Sequence, residues 1–211
     1  MEDLDVLDVA DKAWSRFSDL RAEIIATMGE LDQLRGVWNM ENPDARYCVS
    51  ARGRDSPFTS VYHFQTFKQA SEAVHFDVIT LLLYGLAEKV GLDLGTSTPS
   101  NAYDGCLCSY HAWQTTQPLP SDASGVRLSR RNAQFHASSI CRSIEYMVAS
   151  SEHGNLGAMV MIFPLRVAAS HVMECAMVAD WLDKQWRRLS TQKGFDIGSK
   201  AMEIANSSRR L

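Results

Sequence analysis

The chain has 211 residues, 45% apolar and 22% charged, with 21 Lys and Arg against 25 Asp and Glu, a net charge of −4. That composition excludes the disordered, fibrous and disulfide-dense classes and suits one sizeable folded core. The acidic balance argues against a surface that holds nucleic acid by counterion release.

The first ten residues are acidic and lack a basic n-region or an apolar h-region, so neither a secretory signal nor a mitochondrial presequence is expected. Five scattered cysteines (Cys48, Cys106, Cys108, Cys141 and Cys175) suit reduced thiols in an intracellular chain. From Leu4 to Leu34, apolar residues fall at Val6, Val9, Ala13, Phe17, Leu20, Ile24, Met28 and Leu31. Steps of three and four predict one amphipathic helix, with Gly29 as its weak point. Counted from Met1 through Arg35, the chain holds nine acidic and four basic residues, net −5, which leaves the remainder near neutral at +1. The ordinary reading of such a charged helix is a solvated face over a core, the sharper one an acidic partner-binding face.

Trp38 to Pro57 is rich in turn-formers (Asn42-Pro43-Asp44, Gly53, Asp55-Ser56-Pro57) and reads as a connector. Val61 to Val90 reads as a second long helix whose later half is almost wholly apolar. A helix buried nearly all round, and hence the central element, is expected there. His75, Asp77, Glu88 and Lys89 interrupt the apolar run from Ala73 to Leu94 too often for a membrane span. About 91–124 the composition turns to Gly, Ser, Thr and Pro, predicting a long flexible loop with a short helix near Tyr110–Trp113 at most.

After Gly125 the helical period returns on Ala133, Ala137, Ile140, Ile144 and Met147, and His153-Gly154 reads as its left-handed cap. Leu156 to Leu189 is the next apolar stretch, with Pro164 expected to kink it or open a new helix. Lys184, Arg187 and Arg188 suit its C-terminal end, Gly194 stops it, and Ile197 to Asn206 forms a short last helix. No strand alternation or hairpin signal is evident. The fold class is all-α: an irregular multi-helix bundle of about six helices with one long loop, a single domain over 1–211.

Candidate chemistry is sparse. Cys106-Leu107-Cys108 is a lone close pair, short of the repeated spacing of a metal cluster even if His111 joins it. His171 and Cys175 stand four apart on the predicted helix, where a metal or a nucleophile–base pair would need them. Their apolar neighbours favour a packed core cysteine beside a hydrogen-bonded histidine. His75 and Asp77, two apart, face different ways, and as buried polar groups each needs a partner, a structural bond being the ordinary one. No Gly-rich phosphate loop, G-x-S-x-G or H-E-x-x-H occurs, so no catalytic residue, metal or cofactor is assigned.

Ile140-Cys-Arg-Ser-Ile-Glu-Tyr146, then Gly157 through Ile162-Phe-Pro-Leu-Arg-Val-Ala168, then Trp181-Leu182, Arg187-Arg188-Leu189 and Lys193-Gly194-Phe195 form an ordered pattern. It resembles the C-terminal end of fungal-specific transcription factors, the regulators that carry a six-cysteine binuclear zinc cluster. Leu31-Asp-Gln-Leu34 with Trp38, and the helix from Ala73 to Leu83, resemble upstream family segments more loosely, the latter without the family's arginines. The zinc cluster itself is missing, so no cysteine here is a zinc ligand and no DNA-binding residue is carried over.

The resemblance implies an intracellular, nuclear or cytoplasmic regulatory module without its own DNA reader or direct DNA binding. It would work through helical faces, with protein partners or as a homo-oligomer, and without a membrane. A small ligand between helices would shift its packing and expose or hide such a face. His75, Asp77, Tyr84, His171 and Cys175 are the candidates to line that ligand pocket. The alternatives are a stand-alone enzyme or small-molecule-binding protein reusing the helical scaffold, and a fragment without independent function.

Overall fold

The structure is a computed structural model that describes residues 3–51, 56–94, 124–149, 154–172 and 175–193, with side chains from 14 in the first helix and over 132–148 in the third. Helix α1 (Asp3–Glu41) leads to strands β1 (Arg46–Ser50) and β2 (Ser60–Phe64), then to helices α2 (Phe67–Lys89), α3 (Ser124–Ala149), α4 (Gly154–Val172) and α5 (Ala176–Lys193). The protein is mostly helical, as its periodicities predict. Most of the expected loop, Cys106, Cys108, His111, Gly194 and the expected helix at 197–206 lie outside the described residues.

The 39 residues of α1 pass Gly29 and Gly36 without a break and run on to Glu41. Neither glycine approaches another element, so neither marks a crossing or a hinge. Helix α1 lies antiparallel on α2: Trp38 Nε1 donates to Glu72 near the start of α2 at 2.8 Å, and Arg21 Nε to the Val90 carbonyl beyond its end at 3.0 Å. Ile24, Met28 and Leu31 are buried between these fasteners.

The expected connector contains a strand, and the expected start of the second helix is its antiparallel partner, with Arg46 opposite Phe64 and Ser50 opposite Ser60. Tyr47, Val49, Val61, Tyr62 and Phe64 carry the aromatic and β-branched character that favours strands. The link between the strands lacks a two-residue turn signal, which is why no hairpin stands out in the sequence. Helix α2 begins only after Thr66, whose hydroxyl accepts from the Gln69 N–H at 3.2 Å and donates to Gln69 Oε1 at 3.0 Å. It ends in a Schellman cap: Gly91 at φ 61°, its N–H on Glu88 O, and the Leu92 N–H on Ala87 O.

The central element is α3, not α2. Every residue from His136 to Ile144 is buried, with α4, α2 and β2 packed around them. Serines inside this apolar shell satisfy themselves along the helix: Ser138 donates to Gln134 O at 2.7 Å and Ser143 to Ser139 O at 2.9 Å. Crossing α3, Gly157 of α4 lies so close that an added Cβ would sit 1.8 Å from the Met147 carbonyl oxygen. Gly154 opens α4 rather than capping α3, and Pro164 lies inside α4 and opens no new helix. The boundary in the apolar stretch 156–189 comes after Val172, before Cys175 and the start of α5.

Helix α2 is buried over most of its circumference. Val74, Asp77, Val78, Thr80, Leu81, Leu83, Tyr84 and Ala87 are covered, and a narrow stripe with His75, Ile79, Leu82 and Leu86 is exposed. By length and composition, Phe67–Lys89 and Asn155–Val172 could each cross a membrane; 50% and 44% of their windows are buried in the fold, so core packing accounts for that share of their apolar character.

Candidate functional site

The five residues expected to line a ligand pocket divide into three places. Asp77 and Tyr84 lie on the buried side of α2, facing α3. His75 lies on the exposed side and donates from Nδ1 to the Ser71 carbonyl of its own helix at 2.6 Å. His171 is partly exposed in the last turn of α4, and Cys175 is buried just before α5, its N–H on Val172 O. The expected His171–Cys175 pair thus does not share one helix.

Asp77 anchors a polar cluster that joins three helices. Its Oδ1 accepts from His136 Nδ1 of α3 at 2.8 Å and from Arg35 Nη2 of α1 at 3.3 Å. Arg35 Nη2 also donates to Thr80 Oγ1 at 3.1 Å, and the guanidinium lies 5.7 Å from the Phe76 ring centroid. An ionised carboxylate only accepts, so Nδ1 is the protonated nitrogen of His136. The 3.4 Å approach of Arg35 Nη1 to that nitrogen then sets donor against donor and is not a hydrogen bond. Burial opposes ionisation of Asp77, yet the His136 hydrogen bond, the charges of Arg35 and His136 and a Ser139 hydrogen bond outweigh it and hold the carboxyl below its ordinary value. The Tyr84 ring lies 6.3 Å from that of His136, and burial pushes its phenol up.

A second buried cation fastens the hairpin to α3. Arg142 is 1% exposed and donates from Nε to Ser60 O at 3.1 Å, from Nη1 to the Tyr62 hydroxyl at 2.6 Å and from Nη2 to Ser60 Oγ at 2.8 Å. Its guanidinium lies 3.9 Å from the Tyr62 ring centroid, and Arg46 lies 4.2 Å from the same ring. Cys48 Sγ is 3.3 Å from Nη2. An isolated two-stranded sheet is marginal in water, and these bonds hold this one in place.

Arg35, His136 and Arg142 were not among the sequence candidates. Arg35 was discoverable, since it continues the apolar stripe of Met28 and Leu31. Arg142 lies inside Ile140–Tyr146, and nothing local distinguishes a buried arginine there from a solvated one.

Among the described residues no group of three or more His, Cys, Asp or Glu side chains is placed to hold a metal. Cys141 is fully buried, which pushes its thiol up to about 12, away from nucleophilic use at neutral pH. The polar clusters are joints between elements. What the surface offers instead is apolar: Ile79, Leu82 and Leu86 on α2, between 42% and 45% exposed, and Leu156, Met159 and Phe163 on α4, between 53% and 58% exposed. Each set has the i, i+3, i+7 spacing of a single helical stripe. Compared with protein-family models, curated proteins and solved structures, the chain matches none.

Proposed function

We propose that this chain is a transcription-regulatory effector module that acts through helix-mediated contacts with other proteins. The observation that carries the protein-contact part is the pair of apolar stripes, Ile79–Leu82–Leu86 and Leu156–Met159–Phe163, left in solvent on helices whose opposite sides form the core. Apolar anchors at this spacing are what a helix presents to an apolar groove or to another helix. The transcriptional part comes from the resemblance of the 140–195 segment order to the regulatory region of fungal zinc-cluster factors. In this reading DNA is read by a separate cluster or partner, and the module works in the nucleus or is held in the cytoplasm.

Small-ligand control is weaker in this reading, because Asp77, Arg35, His136 and Thr80 bond to one another. The test is a tethered reporter. Joined to an unrelated DNA-binding domain, the chain is expected to change transcription from a promoter bearing that domain's site. A reporter output equal to that of the DNA-binding domain alone would refute the transcriptional reading.

A further inference from the structure

We propose that the N-terminal part of α1 pairs antiparallel with the same segment of a second copy of this chain. Arg21 bonds to the Val90 and Gly91 carbonyls, so α2 ends level with the middle of α1. Residues 3–20, about 27 Å of helix, extend past that point.

The apolar stripe does not stop where α2 stops. Alongside α2, Ile24, Met28 and Leu31 are at most 6% exposed. One turn beyond, with the spacing unchanged, Leu20 is 38%, Phe17 52% and neighbouring Trp14 74% exposed. In the sequence the stripe continues through Ala13, Val9 and Val6. A helix that takes over from α2 on this stripe, with the same packing, must run in the direction of α2, antiparallel to α1.

Charge selects the occupant. Residues 1–11 hold five acidic side chains and no basic one, whereas residues 12–21 hold Lys12, Arg16 and Arg21 against Asp19 alone. Antiparallel pairing of two such segments sets the acidic end of each against the basic end of the other. Parallel pairing would set acid on acid, which repels. The proposal goes beyond the transcriptional reading and does not depend on it, because self-association is measured without a reporter.

Sedimentation equilibrium of the full chain tests it. A concentration-dependent dimer is expected, and Phe17→Glu with Leu20→Glu should weaken it by about a hundredfold or more. The melting temperature of the dilute, monomeric protein should hardly move, since both side chains are exposed in the single copy. Lys12→Glu with Arg16→Glu should also weaken the dimer, and adding Asp5→Lys with Asp8→Lys should restore it. A chain that stays monomeric overturns the proposal and leaves the stripe to a different protein. A dimer indifferent to the Phe17 and Leu20 changes places the interface elsewhere and overturns it too. A dimer strengthened by the Lys12 and Arg16 reversals, or not restored by the compensating ones, rules out the antiparallel arrangement.

Discussion

Asp77 shows how one carboxylate organises its surroundings. Its ionised form joins α1 and α3 to α2 through Arg35 and His136, so losing the charge leaves two donors facing a poorer acceptor. Asp77→Asn should cost about 2–4 kcal/mol at neutral pH, read from urea unfolding midpoints. The sign of the pH dependence follows from the lowered pKa. The contribution is fully present above the ordinary aspartate value of 3.8 and is lost as pH falls through the lower folded value. The stability gap between the native protein and the variant should therefore narrow in acid, and a gap constant with pH would contradict this account. At Arg142 a lysine keeps the charge but not the fork that reaches Ser60 and Tyr62 together. Arg142→Lys should cost about 2–3 kcal/mol and speed amide exchange over Val61–Phe64. The candidate residues were only partly legible at this scale. Asp77 needed a partner by burial alone, but the partners came from α1 and α3, whose approach no spacing within α2 encodes.

At the scale of elements, two helical glycines make opposite predictions. Gly157 lies against the Met147 backbone, where a methyl group has no room. Gly157→Ala should force α3 and α4 apart and cost about 3 kcal/mol or more. Gly85 in α2 has nothing within 4 Å of its would-be Cβ, so Gly85→Ala should stabilise by about 0.5–1 kcal/mol. Thermal melts of the two variants check both signs together. The helical regions were legible because their apolar steps of three and four are long, but the break between α4 and α5 was not, since the proline that drew attention lies inside α4. The hairpin was not: β2 is nearly all buried and β1, equally long, is exposed or half-buried throughout, so neither alternates. The Thr66–Gln69 capping box was present in the sequence and marks the true start of α2. Hydropathy also chose the wrong central helix. Helix α3 is buried through serines that bond to their own backbone, while α2 is more apolar and shows a stripe to solvent.

For the whole molecule, the polar joints and the apolar stripes have separate duties. Asp77 and Arg142 hold α1, α2, α3 and the hairpin together, while the stripes on α1, α2 and α4 stay exposed to solvent. Residues 3–35 of α1 hold eight acidic and four basic side chains, net −4, so most of the acidity noted in the sequence lies along one helix. The most direct test of the central claim compares an exposed change with a buried one in the tethered reporter. Leu82→Glu with Phe163→Glu should abolish the reporter response while leaving the melting temperature within a few degrees. Tyr84→Phe, in the interior where a ligand pocket was expected, should leave the response intact. A response that survives the surface changes but is lost with Tyr84→Phe would contradict contact through helical faces and point to the interior instead.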